Sequence, residues 1–165
     1  MDVIAEPLTG EAFASFGEVI MAPRTERRRY FKDALGDSRA DVKLRCWVSR
    51  IAPAQTLPLR CEVMEHHPCG TQTFVPMSVS RFLVVVTDPA PDGGPDAYHL
   101  RAFIGSSGQG VTYRANVWHH GMVALDEPAL FVVINWKDGG PLDEKFVPLT
   151  EPAIVRLPQH PDDRP

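Results

Sequence analysis

Hydrophobic and polar positions alternate with a period of two over much of this chain, as expected of strands that bury one face. Lys43–Ile51 sets Leu44, Cys46 and Val48 on one side and Arg45, Trp47 and Ser49 on the other. Residues 59–67 do the same, with Leu59, Cys61, Val63, Glu65 and His67 sharing one face and Arg60, Glu62, Met64 and His66 the opposite one. Arg81–Thr87 is almost continuously apolar and suits a strand covered on both sides. Segments 98–104, 117–125 and 129–136 read as further strands, with a short one at 18–21. Asp92-Gly93-Gly94-Pro95, Gly105 to Gly110, Asp126-Glu127-Pro128 and Asp138-Gly139-Gly140-Pro141 supply the turns between them. Residues 9–16 predict one short N-terminal helix, with Thr9 as N-cap, Glu11 in the first turn and Gly17 as the stop. Together these elements predict an all-β sandwich or barrel. The last eighteen residues carry five prolines, Pro148, Pro152, Pro158, Pro161 and Pro165, and predict an extended, loosely packed tail. The expected organisation is a single domain over residues 1–147 and a proline-rich tail over 148–165.

Composition narrows the class. A chain of 165 residues is sized for one domain, and 44% hydrophobic with 23% charged residues is the mix of a soluble globular protein. Sixteen prolines and twelve glycines argue against a helix bundle. A net charge of −4 offers no overall positive field for nucleic acid or an anionic membrane, and Arg24, Arg27, Arg28, Arg29 and Lys32 read as a solvated basic loop. No apolar run reaches the ~18–20 residues of a membrane span. The start, Met1-Asp2-Val3-Ile4-Ala5-Glu6, is acidic where a signal peptide is positive, so a cytoplasmic address is expected. Cys46, Cys61 and Cys69 lack C-x-x-C spacing, which argues against a disulfide framework and a cysteine zinc site.

Histidine is where chemistry concentrates. Of six histidines, four form two doublets, His66-His67 and His119-His120, while His99 and His160 stand alone. Period two puts Glu65 and His67 on one face of their strand. It puts His119 with Val117, Gly121, Val123 and Leu125 on the inward face of another. Lining one barrel, Glu65, His67 and His119 would converge in a largely apolar cavity that Gln72 could re-enter after the turn Pro68-Cys69-Gly70. Such an O/N donor set fits a catalytic divalent metal such as Zn, Ni, Mn or Fe(II). The plainer alternative is a pair of neutral core histidines bonded to Glu65 or to backbone. His66 and His120 face outward as surface or second-layer groups. Among the arginines, Arg50 shares the face of Leu44, Cys46 and Val48 and could clamp an anionic substrate, while Arg39, Arg101 and Arg114 carry less signal. Lys137 ends a strand beside a glycine turn, where solvent exposure is expected.

The run Glu65-His66-His67-Pro68-Cys69-Gly70-Thr71-Gln72-Thr73-Phe74-Val75-Pro76-Met77, with Asn116-Val117-Trp118-His119-His120, resembles the ureidoglycolate lyase family of cupin-fold enzymes. Pro7-Leu8-Thr9 with Phe13, Phe16-Gly17-Glu18-Val19-Ile20, Leu100-Arg101-Ala102-Phe103-Ile104 and Gly110-Val111 with Tyr113 extend the likeness over most of residues 6–140. The resemblance implies a cupin-like double-stranded β-barrel (jelly roll), usually a cytoplasmic homodimer, that splits ureidoglycolate into glyoxylate and urea in allantoin (purine) degradation. It implies a small-molecule substrate rather than nucleic acid or membrane. It also implies Glu65, His67, Gln72 and His119 as catalytic and metal-holding residues, with nickel, zinc or manganese, or no metal at all. Arg50, Arg39, Arg101 and Tyr113 are the expected substrate-binding residues. Three features depart from the family pattern. Glu65-x-His67 then Gln72 stands where cupins carry H-x-H then E, Gly36-Asp37-Ser38-Arg39-Ala40-Asp41 keeps at most a glycine and an arginine of an N-G-x-x-x-R-Y-H-D-like stretch, and Asn135-Trp136-Lys137-Asp138-Gly139-Gly140 replaces a more acidic pattern. A non-catalytic cupin binding a small organic acid, or a related cupin enzyme with a drifted substrate, is the alternative.

Overall fold

The structure is a computed structural model, and it describes residues 1–31 and 35–159. Lys32, His160, Pro161 and Pro165, which figure in the expectations above, lie outside the described residues.

Thirteen strands are described: β1 (Asp2–Ile4), β2 (Glu6–Pro7), β3 (Gly17–Met21), β4 (Lys43–Ile51), β5 (Leu59–His66), β6 (Gln72–Ser78), β7 (Arg81–Thr87), β8 (Arg101–Ser106), β9 (Gln109–Tyr113), β10 (Trp118–His119), β11 (Val123–Ala124), β12 (Ala129–Lys137) and β13 (Lys145–Arg156). They form two sheets. The larger runs β1-β13-β5-β10-β7-β8-β2, with β11 on β7, and the smaller runs β3-β9-β6-β12-β4. The all-β, barrel-like architecture expected from the alternation is therefore present.

Phe13, Phe16, Phe74, Phe82, Phe103, Val111, Tyr113, Phe131 and Val133 fill the space between the sheets, all of them buried. Their rings meet edge-on or tilted at centroid distances of 5.4–6.1 Å, as aromatic quadrupoles prefer. A second apolar layer, including Cys61, Met64, Leu83, Val85, Trp118, Ala153 and Val155, covers the outer face of the larger sheet.

The N-terminal helix is not formed. Thr9 does cap, its Oγ1 accepting from Ala12 N at 3.1 Å, but the segment continues only as turns, with Phe13 N to Thr9 O at 3.0 Å and Phe16 N to Phe13 O at 2.9 Å. A stretch this short cannot sustain a helical ladder in its own right, and both phenylalanines are drawn into the barrel core instead. The tail boundary at 147/148 also falls inside an element. β13 continues to Arg156, pairs with β5 and β1, and buries Ala153 and Val155. Its prolines sit where the ladder to β5 shifts register, between Pro148 and Ala153.

Two irregularities reassign faces. In β5, Cys61 and Met64 both enter the outer layer, Sγ and Sδ 3.4 Å apart, so strict alternation fails across Glu62 and Val63 and Cys61 leaves the face it was expected to share with Glu65. The expected strand 117–125 is interrupted. His119 pairs with Val86 but Val123 with Leu83, so one extra residue lies between them, and Val123 and Leu125 turn to the outer layer while His119 and Ala124 face inward.

Candidate functional site

Glu65 and His119 stand directly opposite one another on β5 and β10, which puts both side chains on the inner face of the larger sheet. Gln72 on β6 is the partner of both Tyr113 on β9 and Asn135 on β12, which puts the three side by side on the inner face of the smaller sheet. His67 follows β5 in the turn and is buried. Glu65, His67 and His119 each offer a ligand atom within 4.8 Å of the others.

The turn that carries His67 is pinned from outside. Gly36 O accepts from Thr71 N at 2.9 Å, Thr71 Oγ1 accepts from Gly36 N at 3.0 Å, and Cys69 O accepts from Ser38 N at 3.0 Å. Asp37 bridges to Gly70, and a Cβ at Gly70 would run into the Asp37 carboxylate. Arg39 closes this strap. Its Nε and Nη2 donate to the two oxygens of Asp37 at 3.0 and 2.9 Å, and Nη1 donates to Asp143 at 3.0 Å and Asp138 at 3.2 Å. Asp143 then returns to the site, because its backbone oxygen accepts from His67 Nδ1 at 2.7 Å.

These contacts fix ring orientations. His67 Nδ1–H donates to Asp143 O and His119 Nδ1–H donates to Val117 O at 3.1 Å, so both rings turn Nε2 inward. A histidine that hands one N–H to a carbonyl and presents the other nitrogen is arranged as metal ligands usually are. His119 Nε2 lies 3.0 Å from Glu65 Oε1 and 3.0 Å from Gln72 Oε1. Two imidazole nitrogens, a carboxylate and an amide oxygen thus converge, and with Nε2 free of its proton this donor set fits a divalent cation such as zinc, nickel or manganese.

Charge states agree with that picture. Burial pushes the Glu65 carboxyl up, but the His119 hydrogen bond and the charges of His119, His67 and Lys137 outweigh it and hold Glu65 below its ordinary range. Burial, with the neighbouring His119, lowers His67. Burial also raises the Tyr113 phenol, which keeps its proton. That ring stacks on His119 at 4.2 Å and 17°, and its hydroxyl is buried without a hydrogen-bond partner.

The structure brings together Glu65, His67, Gln72 and His119, and stacks Tyr113 on His119. The arginines lie elsewhere. Arg39 spends its donors on the strap. Arg101 donates to Glu6 at 2.6 and 3.0 Å and to Ala12 O at 2.8 Å. Arg50 stands opposite Leu130 on the outer face of the smaller sheet. That face also carries Leu44, Cys46 and Val48, so the expected core face of β4 points outward; Leu44 is 49% and Val48 55% exposed. The inward face instead presents Arg45, Trp47 and Ser49, opposite Asn135, Val133 and Phe131. Asn135 was missed. It is buried and its Nδ2 lies 3.3 Å from His67 Nδ1; its signal was a lone amide in period with Phe131 and Val133. Of the outer histidines, His66 is buried, stacked on Trp118 at 3.7 Å and bonded to Asn116 Oδ1 at 3.0 Å.

Comparison with known proteins adds an independent line. Residues 1–155 match the family described as Ureidoglycolate lyase. The ureidoglycolate lyase of Azotobacter vinelandii is 37% identical over 165 residues, covering 93% of this chain and 96% of that protein. The one from Chelativorans sp. is 38% identical over 167 residues, covering 95% and 98%. Among solved structures, the dTDP sugar isomerase of Desulfovibrio desulfuricans aligns with a TM-score of 0.47 at 18% identity, over 82% of this chain and 83% of that chain.

Proposed function

The chain belongs to the ureidoglycolate lyase family, and on that premise we propose that it eliminates urea from ureidoglycolate to leave glyoxylate, using the Glu65, His67, Gln72 and His119 cluster of a cupin-type barrel. The observation that carries the reading is the convergence of the Glu65 and Gln72 side-chain oxygens, each at 3.0 Å, on the buried His119 Nε2, with His67 alongside.

Ureidoglycolate has one carbon bearing a hydroxyl, a carboxylate and a urea nitrogen. Elimination removes the hydroxyl proton, forms the C=O bond, breaks the C–N bond and protonates the departing nitrogen. Glu65, ionised because its value is held down, accepts the hydroxyl proton and returns it to the leaving nitrogen, so the protein ends the cycle unchanged. His119 shares its Nε2 with that carboxylate and is held by the Val117 carbonyl and the stacked Tyr113 ring. His67 and Gln72 orient the reacting oxygen from the other side. A divalent ion held by Glu65, His67, His119 and Gln72 would supply Lewis acidity, lowering the hydroxyl pKa.

We also propose a homodimer. The outer face of the smaller sheet exposes Leu44, Val48 and Met77 beside the half-buried Val75, Val132, Ile134 and Trp136. An apolar face of that kind on an edge strand is what a second copy covers.

The test is product analysis with and without chelator. Urea and glyoxylate in equal amounts, with no ammonia, is the expected result. Ammonia with carbon dioxide would identify a hydrolase, and tight retention of the acid without turnover would identify a binding protein.

A further inference from the structure

Ureidoglycolate and glyoxylate are both carboxylates, and the arginines singled out in the sequence are engaged or turned away. Arg39 is held by Asp37, Asp138 and Asp143, Arg101 by Glu6, and Arg50 faces outward. The inward faces of β4 and β12 carry further cations, Lys43 opposite Lys137 among them. β4–β12 pairing sets Arg45 opposite the buried, inward Asn135 and sets Lys137 two residues further along the same face. Among the described residues Arg45 has no carboxylate partner, although the chain is acidic. Arg45, Cys46, Trp47 and Lys137 line a cleft of ≈ 420 Å³. Lys137 Nζ lies 5.9 Å from the centroid of the Trp47 ring, and its charge reaches the Glu65 carboxyl. It already binds one carboxylate, Glu144 Oε2 at 2.9 Å, in a part-exposed pair of the sort that yields readily to a competitor.

Resting on the lyase reading above, we propose that Arg45 and Lys137, on the inward face of β4 and β12, form the cationic clamp that receives the substrate carboxylate at the mouth of the barrel. A planar guanidinium and a mobile ammonium on neighbouring strands can grip the two carboxylate oxygens at once, with Trp47 as the apolar floor. The clamp is a specificity element. It selects 2-hydroxy acids over their amides and esters, and it gives an acidic protein a local positive entrance.

Arg45→Met and Lys137→Met, measured against wild type in steady-state assays on ureidoglycolate, are each expected to raise KM about tenfold or more with kcat within about twofold. Such a split marks lost binding of ground and transition state alike. Lys137→Arg should recover most of the loss, and Arg60→Met, an exposed pair remote from the site, should show none. Unchanged KM in folded Arg45→Met and Lys137→Met, or a fall in kcat alone, overturns the clamp while leaving the lyase reading intact. If the wild type proves inactive on ureidoglycolate, that reading fails by itself, and the clamp is then judged by calorimetric titration with glyoxylate. Weakening of about tenfold in both variants upholds it, and equal affinity overturns it.

Discussion

Replacing Arg39 by Met tests whether the strap around the His67 turn is held by charge. Arg39 is 16% exposed and its partners Asp37 and Asp143 are 1% and 8% exposed, so the substitution leaves two nearly buried carboxylates without their cation. Breaking a buried pair on one side costs about 3–5 kcal/mol. The lower end applies here, since Asp143 keeps its bonds from the Asp138 and Gly139 amides at 3.0 and 2.7 Å and the Asp138 side chain is already in water. A loss of about 3 kcal/mol corresponds to a fall in Tm of about 6–12 °C for a domain of this size. The pH dependence follows from the sign of the shifts. Hydrogen bonds from Arg39 hold Asp37 below its ordinary value, and Asp143, though burial pushes it up, is brought down to about 2 by the two amides and Arg39. A depressed carboxyl stabilises the fold above its unfolded value and ceases to do so as pH falls through its folded one. The gap between wild type and Arg39→Met should thus be full at neutral pH, begin to close near pH 4 and be mostly gone by about pH 2. Urea denaturation of both proteins across that range is the assay. A gap below about 1 kcal/mol at pH 7, or one that does not narrow in acid, would refute the reasoning.

Further outcomes follow from the same geometry. Gly70→Ala forces a methyl group against the Asp37 carboxylate and should lower stability and metal uptake together, with Tm and metal content as the readings. Tyr113→Phe removes a buried hydroxyl that has no partner, so stability should stay within about 1 kcal/mol of wild type or rise; a loss beyond about 2 kcal/mol would show that the hydroxyl is bonded. Val48→Glu puts a charge on the exposed outer face and should leave the fold intact while shifting sedimentation from dimer to monomer.

Most of the site was legible before the structure because its residues obey period two over short distances. Period two puts Glu65 and His119 on the inward faces of their strands, and Gln72 comes back inward on β6. What alternation could not convey were the places where it breaks. The register shift in β13, the extra residue between His119 and Val123, and the flip across Glu62 and Val63 reassign Cys61, Val123 and Leu125 to the outer layer. β4 was legible in extent and inverted in face. Its apolar stripe looked like a core side, but it is an edge strand whose outer surface the chain itself leaves uncovered, and its polar stripe leans over the cavity. Arg39 could be seen in the sequence but not its three carboxylates, two of which lie about a hundred residues away. Asn135 carried only the weak signal of an amide in a buried register.

The central claim is that the Glu65, His67, Gln72 and His119 cluster carries out the elimination, and His119→Ala addresses it most directly. Its turnover of ureidoglycolate to urea and glyoxylate is read beside wild type on samples matched for folding by circular dichroism, with bound metal measured on each. Glu65 as a positioned general base contributes about 10²–10⁴-fold and His119 is the partner that holds it, so the account predicts at least about a hundredfold loss of turnover, together with loss of any divalent metal that the wild type carries. Near-normal production of urea and glyoxylate by folded His119→Ala would contradict it.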